Sequence, residues 1–148
     1  MIIRKAKESE WQIIADFQRL LVEETEDFSL DKKVIEKGVK AVFEDPGKGK
    51  YYVTEMDGGV IACLMVSFEW SDWRNSYIPW ILSLYVKPEF RKQGIYKRMY
   101  NHLQNEVISS SEWGGIRLYV DKSNIIAQKV YSALGMSSEH YLLFEWMK

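Results

Sequence analysis

The chain has 148 residues, enough for one domain with a substantial core. Its 47% apolar and 28% charged residues exclude a disordered chain, and a net charge of −1 argues against a protein whose main work is coating nucleic acid or anionic membrane. The single cysteine, Cys63, lies in the apolar run VIACLMV, too lonely for an internal disulfide or a thiolate metal site, so a buried inert thiol in a reducing cytoplasm is expected.

The start, MIIRKAKESE, is charged by its fourth residue and shows no export signal. Met1 to Lys5 reads as a strand. Ser9 with Gln12 three residues on forms a capping box, and Ile13, Phe17, Leu20 and Leu21 give the following helix one apolar stripe to about Thr25. A second helix runs from Asp31 to Glu44, burying Val34, Ile35, Val39, Val42 and Phe43, and Asp45-Pro46 stops it. Tyr51 to Met56 and Val60 to Glu69 form a hairpin around Asp57-Gly58. After an interruption at Trp70 to Asn75, Tyr77 to Val86 is another strand. The stretch from Asn75 to Val86 is the longest without charge, shorter than the roughly 18 apolar residues of a membrane span, so no membrane role is expected. Gly94 to Ile108 is a helix, Ile116 to Val120 a strand and Asn124 to Leu134 a helix ended by Gly135. Tyr141 to Met147 closes the chain as a strand. No repeat or linker interrupts 1–148, so one domain is expected, an α/β fold of order β-α-α-β-β-β-α-β-α-β with a mixed, mostly antiparallel sheet.

The segment KPEFRKQGIYKR, Lys87 to Arg98, puts five positive charges and one glycine at a strand-to-helix corner. A helix start offers unpaired N–H groups and the positive end of its dipole, where phosphate oxygens bind if the backbone can come close. Gly94 permits that approach, and Arg91, Lys92, Lys97 and Arg98 add charge. No P-loop and no dinucleotide fingerprint is present. Nucleic acid is not expected as a partner, because the charge is confined to one corner.

The element order and this corner resemble the GCN5-related N-acetyltransferase (GNAT) superfamily. That family's acyl-CoA loop reads Arg/Gln-x-x-Gly-x-Gly/Ala, and here Arg91-Lys92-Gln93-Gly94-Ile95-Tyr96 follows a strand. Tyr96 departs from the pattern, so its ring must turn away or lie over the cofactor. Leu84 to Arg91 matches the family's lead-in, and Asn124, Ala127, Tyr131 and Gly135 match its second cofactor motif. The resemblance implies acetyl transfer from acetyl-CoA to a primary amine, directly and within a ternary complex. It implies that the strand Leu82 to Val86 splays from Ile116 to Val120, with Leu84, Tyr85 and Val86 backbone groups serving the pantetheine arm and thioester. Asn124 would steady that arm. Tyr131 matches the general acid for the leaving thiolate, a proton transfer uphill by about 2 kcal/mol between an ordinary phenol and an ordinary thiolate. Leu82 and Ser83 stand where relatives carry a carboxylate base, which leaves Glu69 as the leading candidate.

The acceptor side is expected in FEWSDWRNSYIPW, Phe68 to Trp80, where Trp70, Asp72 and Trp73 set aromatic faces beside carboxylates, a surface suited to a small cationic amine. The segment is also similar to a Glu-Trp-Ser-Asp-Trp-Arg signature in a bacterial subgroup of that family. The acidic run VEETEDF, Val22 to Phe28, adds Glu24 and Glu26. His102 and His140 have no metal-like spacing and surface roles are expected, with no metal required. A monomer or homodimer is expected. The alternatives are a GNAT-fold module that holds acyl-CoA without turnover and, in another class, a nucleic-acid binder using the basic corner.

Overall fold

The computed structural model describes residues 1–26 and 29–148. The elements are β1 (Ile2–Lys5), α1 (Trp11–Thr25), α2 (Lys32–Glu44), β2 (Lys50–Met56), β3 (Gly59–Ser71), β4 (Ser76–Val86), α3 (Ile95–Ser109), β5 (Arg117–Leu118) and α4 (Ile125–Ala133). The strands lie in the order β1-β2-β3-β4-β5. The first three pairings are antiparallel, and a parallel bridge joins Tyr77 to Trp113, so the sheet is mixed as expected. By contacts the chain forms two compact units, Met1–Arg117 and Leu118–Lys148.

In the first unit, strand alternation sends Tyr51, Val53, Cys63 and Tyr85 to one face of the sheet, where they pack with Ile14, Phe17, Val39 and Val42 of α1 and α2. Burial pushes the Cys63 thiol up to about 12, the inert thiol that its apolar surroundings imply. Tyr52 points to the other face and meets α3 through His102 and Glu106. Val34, expected on the buried side of α2, is 59% exposed, because only Val39 and Val42 of that stripe reach the core fully.

The start of α1 differs from the expected box at Ser9 and Gln12. A 3-10 turn, Glu8–Glu10, comes first, and the Lys7 N–H donates to Glu10 Oε2 at 2.7 Å. Arg4 of β1 donates to both oxygens of that carboxylate, at 3.0 and 2.6 Å, and its second ion partner is Glu55. A carboxylate pinned by a strand arginine outcompetes a serine hydroxyl for the role. The Asp57-Gly58 turn is as expected, with φ of 51° and 77°. No interruption occurs at Trp70: β3 and β4 pair out to Ser71 and Ser76, and only residues 72–75 turn.

In the second unit, the Asn124 side chain caps α4 by accepting from the Ala127 N–H at 3.0 Å, and Gly135 follows at φ 85°. The expected closing strand over Tyr141–Met147 is not formed, and Phe144 is 89% exposed. A strand needs a neighbouring backbone to bond. Within Leu118–Lys148 the single other strand residue is Leu118, so alternating aromatic composition alone builds no ladder.

Candidate active site

β4 ends at Val86, a 3-10 turn spans Pro88–Phe90, and α3 begins at Ile95. Gly94 stands before the helix at φ 73°, in the left-handed region where a Cβ costs roughly 1 kcal/mol. A Cβ added there would meet nothing within 4 Å, so the space before the helix is open. The Arg98 N–H bonds back to the Gly94 carbonyl at 3.1 Å. A helix start leaves its first amides without intrahelical acceptors and carries partial positive charge. Lys92, Lys97 and Arg98 are exposed around that opening. Ile95 is buried and anchors the helix, and Gln93 Nε2 donates to the Glu89 carbonyl at 3.2 Å. Tyr96 turns its ring inward alongside Tyr100, centroids 6.3 Å apart, and buries its hydroxyl, so it does not cover the opening.

Arg91 is held on three sides. Its Nε donates to the Val86 carbonyl at 2.8 Å, and Nη2 reaches both oxygens of Glu24 at 2.9 and 2.8 Å. Its guanidinium lies 5.5 Å from the Tyr85 ring centre. Glu24, expected beside an acceptor, pairs with Arg91 of the basic corner. Glu24 thereby holds the Arg91 guanidinium above its usual pKa. The Val86 carbonyl, expected to serve a cofactor arm, is taken by Arg91. Glu26 is exposed at the end of α1, with its N–H bonded to the Val22 carbonyl. The last residues of the acidic run, Asp27 and Phe28, lie outside the described residues.

Along β4 the register shifts: Met65 pairs with Ser83 but Val66 with Ile81, leaving Leu82 as an extra residue, 38% exposed. Such a bulge re-aims backbone groups and is over-represented beside active sites. Leu84 and Tyr85 return to register opposite Leu64 and Cys63. The strand expected over Ile116–Val120 is only Arg117–Leu118, too short to line the eleven residues of β4. The Ser83 hydroxyl is buried with no hydrogen-bond partner among the described residues. The sequence marks this position only by the missing carboxylate, and the bulge beside it and the burial of its hydroxyl appear only in the fold.

Glu69 lies near the far end of β3. Its Oε2 accepts from Trp80 Nε1 at 2.7 Å and from Arg117 Nη1 at 2.7 Å. The Trp80 hydrogen bond first, then Arg117, holds this carboxyl below its usual range. Neither partner is identifiable from sequence, because 11 and 48 residues separate them from Glu69. The aromatic-acidic cluster expected around Glu69 is split. Cross-strand pairing puts Glu69 beside Ile78 on one face and Trp70 beside Tyr77 on the other. Trp70 meets the Tyr77 ring nearly edge-on at 5.0 Å. Asp72 spends Oδ1 on the Trp73 N–H at 2.9 Å, and Trp73 stands 87% exposed in the turn.

In the second unit, Asn124 and Ala127 are joined through the helix cap. Tyr131, on α4, is half-buried, and its carbonyl accepts from the N–H groups of Leu134 and Met136. Among the described residues no three His, Cys, Asp or Glu gather as a metal site, and no helix is long and apolar enough to cross a membrane.

Residues 12–136 match the acetyltransferase (GNAT) family. A solved structure of a possible acetyltransferase from Clostridium difficile 630 is 40% identical, with a TM-score of 0.93, covering 99% of this chain and 97% of that one. An uncharacterized N-acetyltransferase of Methanocaldococcus jannaschii is 34% identical over 85 residues, 57% of this chain. That match spans about half, 51%, of the relative's own length. At 16% identity, an aminoglycoside N-acetyltransferase solved in complex with CoA shares the fold, with a TM-score of 0.80 over 99% of this chain and 94% of that one.

Proposed function

The chain belongs to the GNAT acetyltransferase family, and we propose that it moves an acetyl group from acetyl-CoA to the primary amine of a small cationic molecule, directly and in a ternary complex. The observation that carries the reading is the open, glycine-led start of α3 in a ring of exposed cations. Its donor set suits a pyrophosphate: helix amides, Lys92, Lys97 and Arg98, with Gly94 leaving room for close approach. The CoA complex of a fold relative supports the same cofactor class. Residues 91–96 hold the diphosphate in this reading, and β4 backbone groups at Leu84 and Tyr85 face the pantetheine arm. Bound acetyl-CoA supplies the acetyl thioester.

The chain's own groups do the rest. With the register shifted at Leu82, a β4 N–H from the Leu84 region would serve the thioester carbonyl oxygen, where a fixed donor stabilises developing negative charge. Glu69 Oε2 is occupied by Trp80 and Arg117, which leaves Oε1 for the acceptor's ammonium. A carboxylate held below its usual range is a poor proton acceptor, so Glu69 acts as charge partner of the ammonium, whose proton passes to water. Tyr131 would give its hydroxyl proton to the departing thiolate and recover one from the newly acylated nitrogen, and Asn124 and Ala127 belong to the same cofactor motif. Trp70, Asp72, Trp73 and Glu26 form the outer acceptor surface in this reading. Work in the cytoplasm, without a metal, as a monomer or homodimer completes it.

The test is thiol release from acetyl-CoA across a panel of small amines. Amine-dependent release supports the transferase. CoA binding at micromolar level with no release on any amine supports a non-catalytic CoA-binding module instead, and oligonucleotide binding that survives saturating CoA would support a nucleic-acid binder.

A further inference from the structure

The face of the sheet that carries α3 holds a cavity away from the basic corner. It measures about 440 Å³ and is lined by Lys5, Lys50, His102, Asn105, Glu106 and Trp113, among others, so β1, β2 and the last turns of α3 all contribute. That volume is within the range of small-molecule sites, roughly 300 to 1,000 Å³.

Its charges are unevenly satisfied. The one lining carboxylate, Glu106, is already engaged, with Oε2 accepting from the Tyr52 hydroxyl and Oε1 lying 3.5 Å from His102 Nε2. The ammonium groups of Lys5 and Lys50 have no ion pair or hydrogen bond among the described residues. Lys50 is held in place by rings, its ammonium 5.1 Å from the centre of Phe68 and 4.7 Å from that of Trp113. Burial first, then the charge of Lys5, disfavours its protonated form, and Glu106 offsets this only in part. Two lysines therefore line one polar cavity whose single carboxylate, Glu106, is already engaged with Tyr52 and His102, and the Asn105 amide and the His102 ring stand beside them.

We propose that this cavity is a binding site for a compact oxyanion, the phosphate or carboxylate group of a small metabolite, taken between Lys5 and Lys50. Two lysines against one carboxylate leave a positive excess, and a bound oxyanion balances it by accepting from both ammonium groups. The cavity uses no residue of the 91–96 loop and none placed on the acceptor.

Nuclear magnetic resonance titrations of the whole protein with inorganic phosphate and, separately, with succinate test it, following the Trp113 indole N–H and the His102 ring. They are run with CoA present so that the basic corner is filled. These probes sit in the cavity, so the readout does not depend on whether CoA binds. Saturable shifts of both probes are expected with at least one anion, and the tighter one distinguishes phosphate from carboxylate. Removing one charge, in Lys50→Met or in Lys5→Met at the exposed position, should weaken binding about tenfold or more. Shifts that never saturate, or a wild-type affinity kept in both variants, would overturn the proposal.

Discussion

At the residue scale, Gly94 carries the sharpest expectation. Gly94→Ala meets no steric obstacle but must hold a left-handed backbone, so it should lower stability by about 1 kcal/mol. Its methyl group would stand in the space proposed for phosphate oxygens, and CoA affinity should fall about tenfold more than the stability loss explains, as calorimetric titration would show. An unchanged affinity would remove the glycine from the seat. Glu69→Gln should raise KM for a cationic acceptor about tenfold with a smaller effect on kcat. The wild-type carboxyl is lowered by Trp80 and Arg117, so it stays ionised through the neutral range. The difference between the two proteins should hold there and close only as the pH falls through that lowered value. A fall in kcat alone would return Glu69 to the role of proton acceptor. Tyr131→Phe should lower kcat by about a hundredfold with CoA affinity kept, and an unchanged kcat would end the acid role.

At the element scale, the helix starts show what a sequence reveals and what it hides. Asp31 before α2 and Asn124 before α4 cap through the N–H groups two and three residues on, contacts contained in a short window and legible there. Glu10 is different, because its partner Arg4 sits on β1 and is shared with Glu55 of β2. No local pattern announces a carboxylate chosen by a strand. Removing that anchor in Glu10→Gln should cost about 1 to 2 kcal/mol in denaturant unfolding at neutral pH. Arg4 holds the Glu10 carboxyl below its usual range, so its contribution is present above the unfolded-state pKa and lost as pH falls through the folded one. The variant and the wild type should therefore converge in acid, and a gap independent of pH would point to packing instead. The basic corner is legible for the same reason as the caps: its glycine, cations and helix start are adjacent in sequence. The partners of Glu69 and the Glu24 tie to Arg91 are not, since they span 11 to 67 residues. The aromatic-acidic run misleads because pleating sends neighbours to opposite faces, separating Trp70 from Glu69.

At the scale of the whole molecule, a nearly neutral chain sets exposed cations around the start of α3 and two lysines in the cavity beside its last turns. The element order that places both is readable from apolar periodicity, apart from the closing strand, whose partner backbone no sequence pattern supplies. The family implies an acyl-CoA donor, and a ligand that binds the folded chain must stabilise it. CoA at a hundred times its Kd should add about 2.7 kcal/mol to unfolding. Whether residues 91–96 seat the diphosphate of acetyl-CoA is decided by comparing the Kd of CoA with that of pantetheine, which lacks the diphosphate. CoA should bind about a hundredfold more tightly, with the advantage shrinking as salt rises. Equal affinities for the two, at low salt, would contradict that seat.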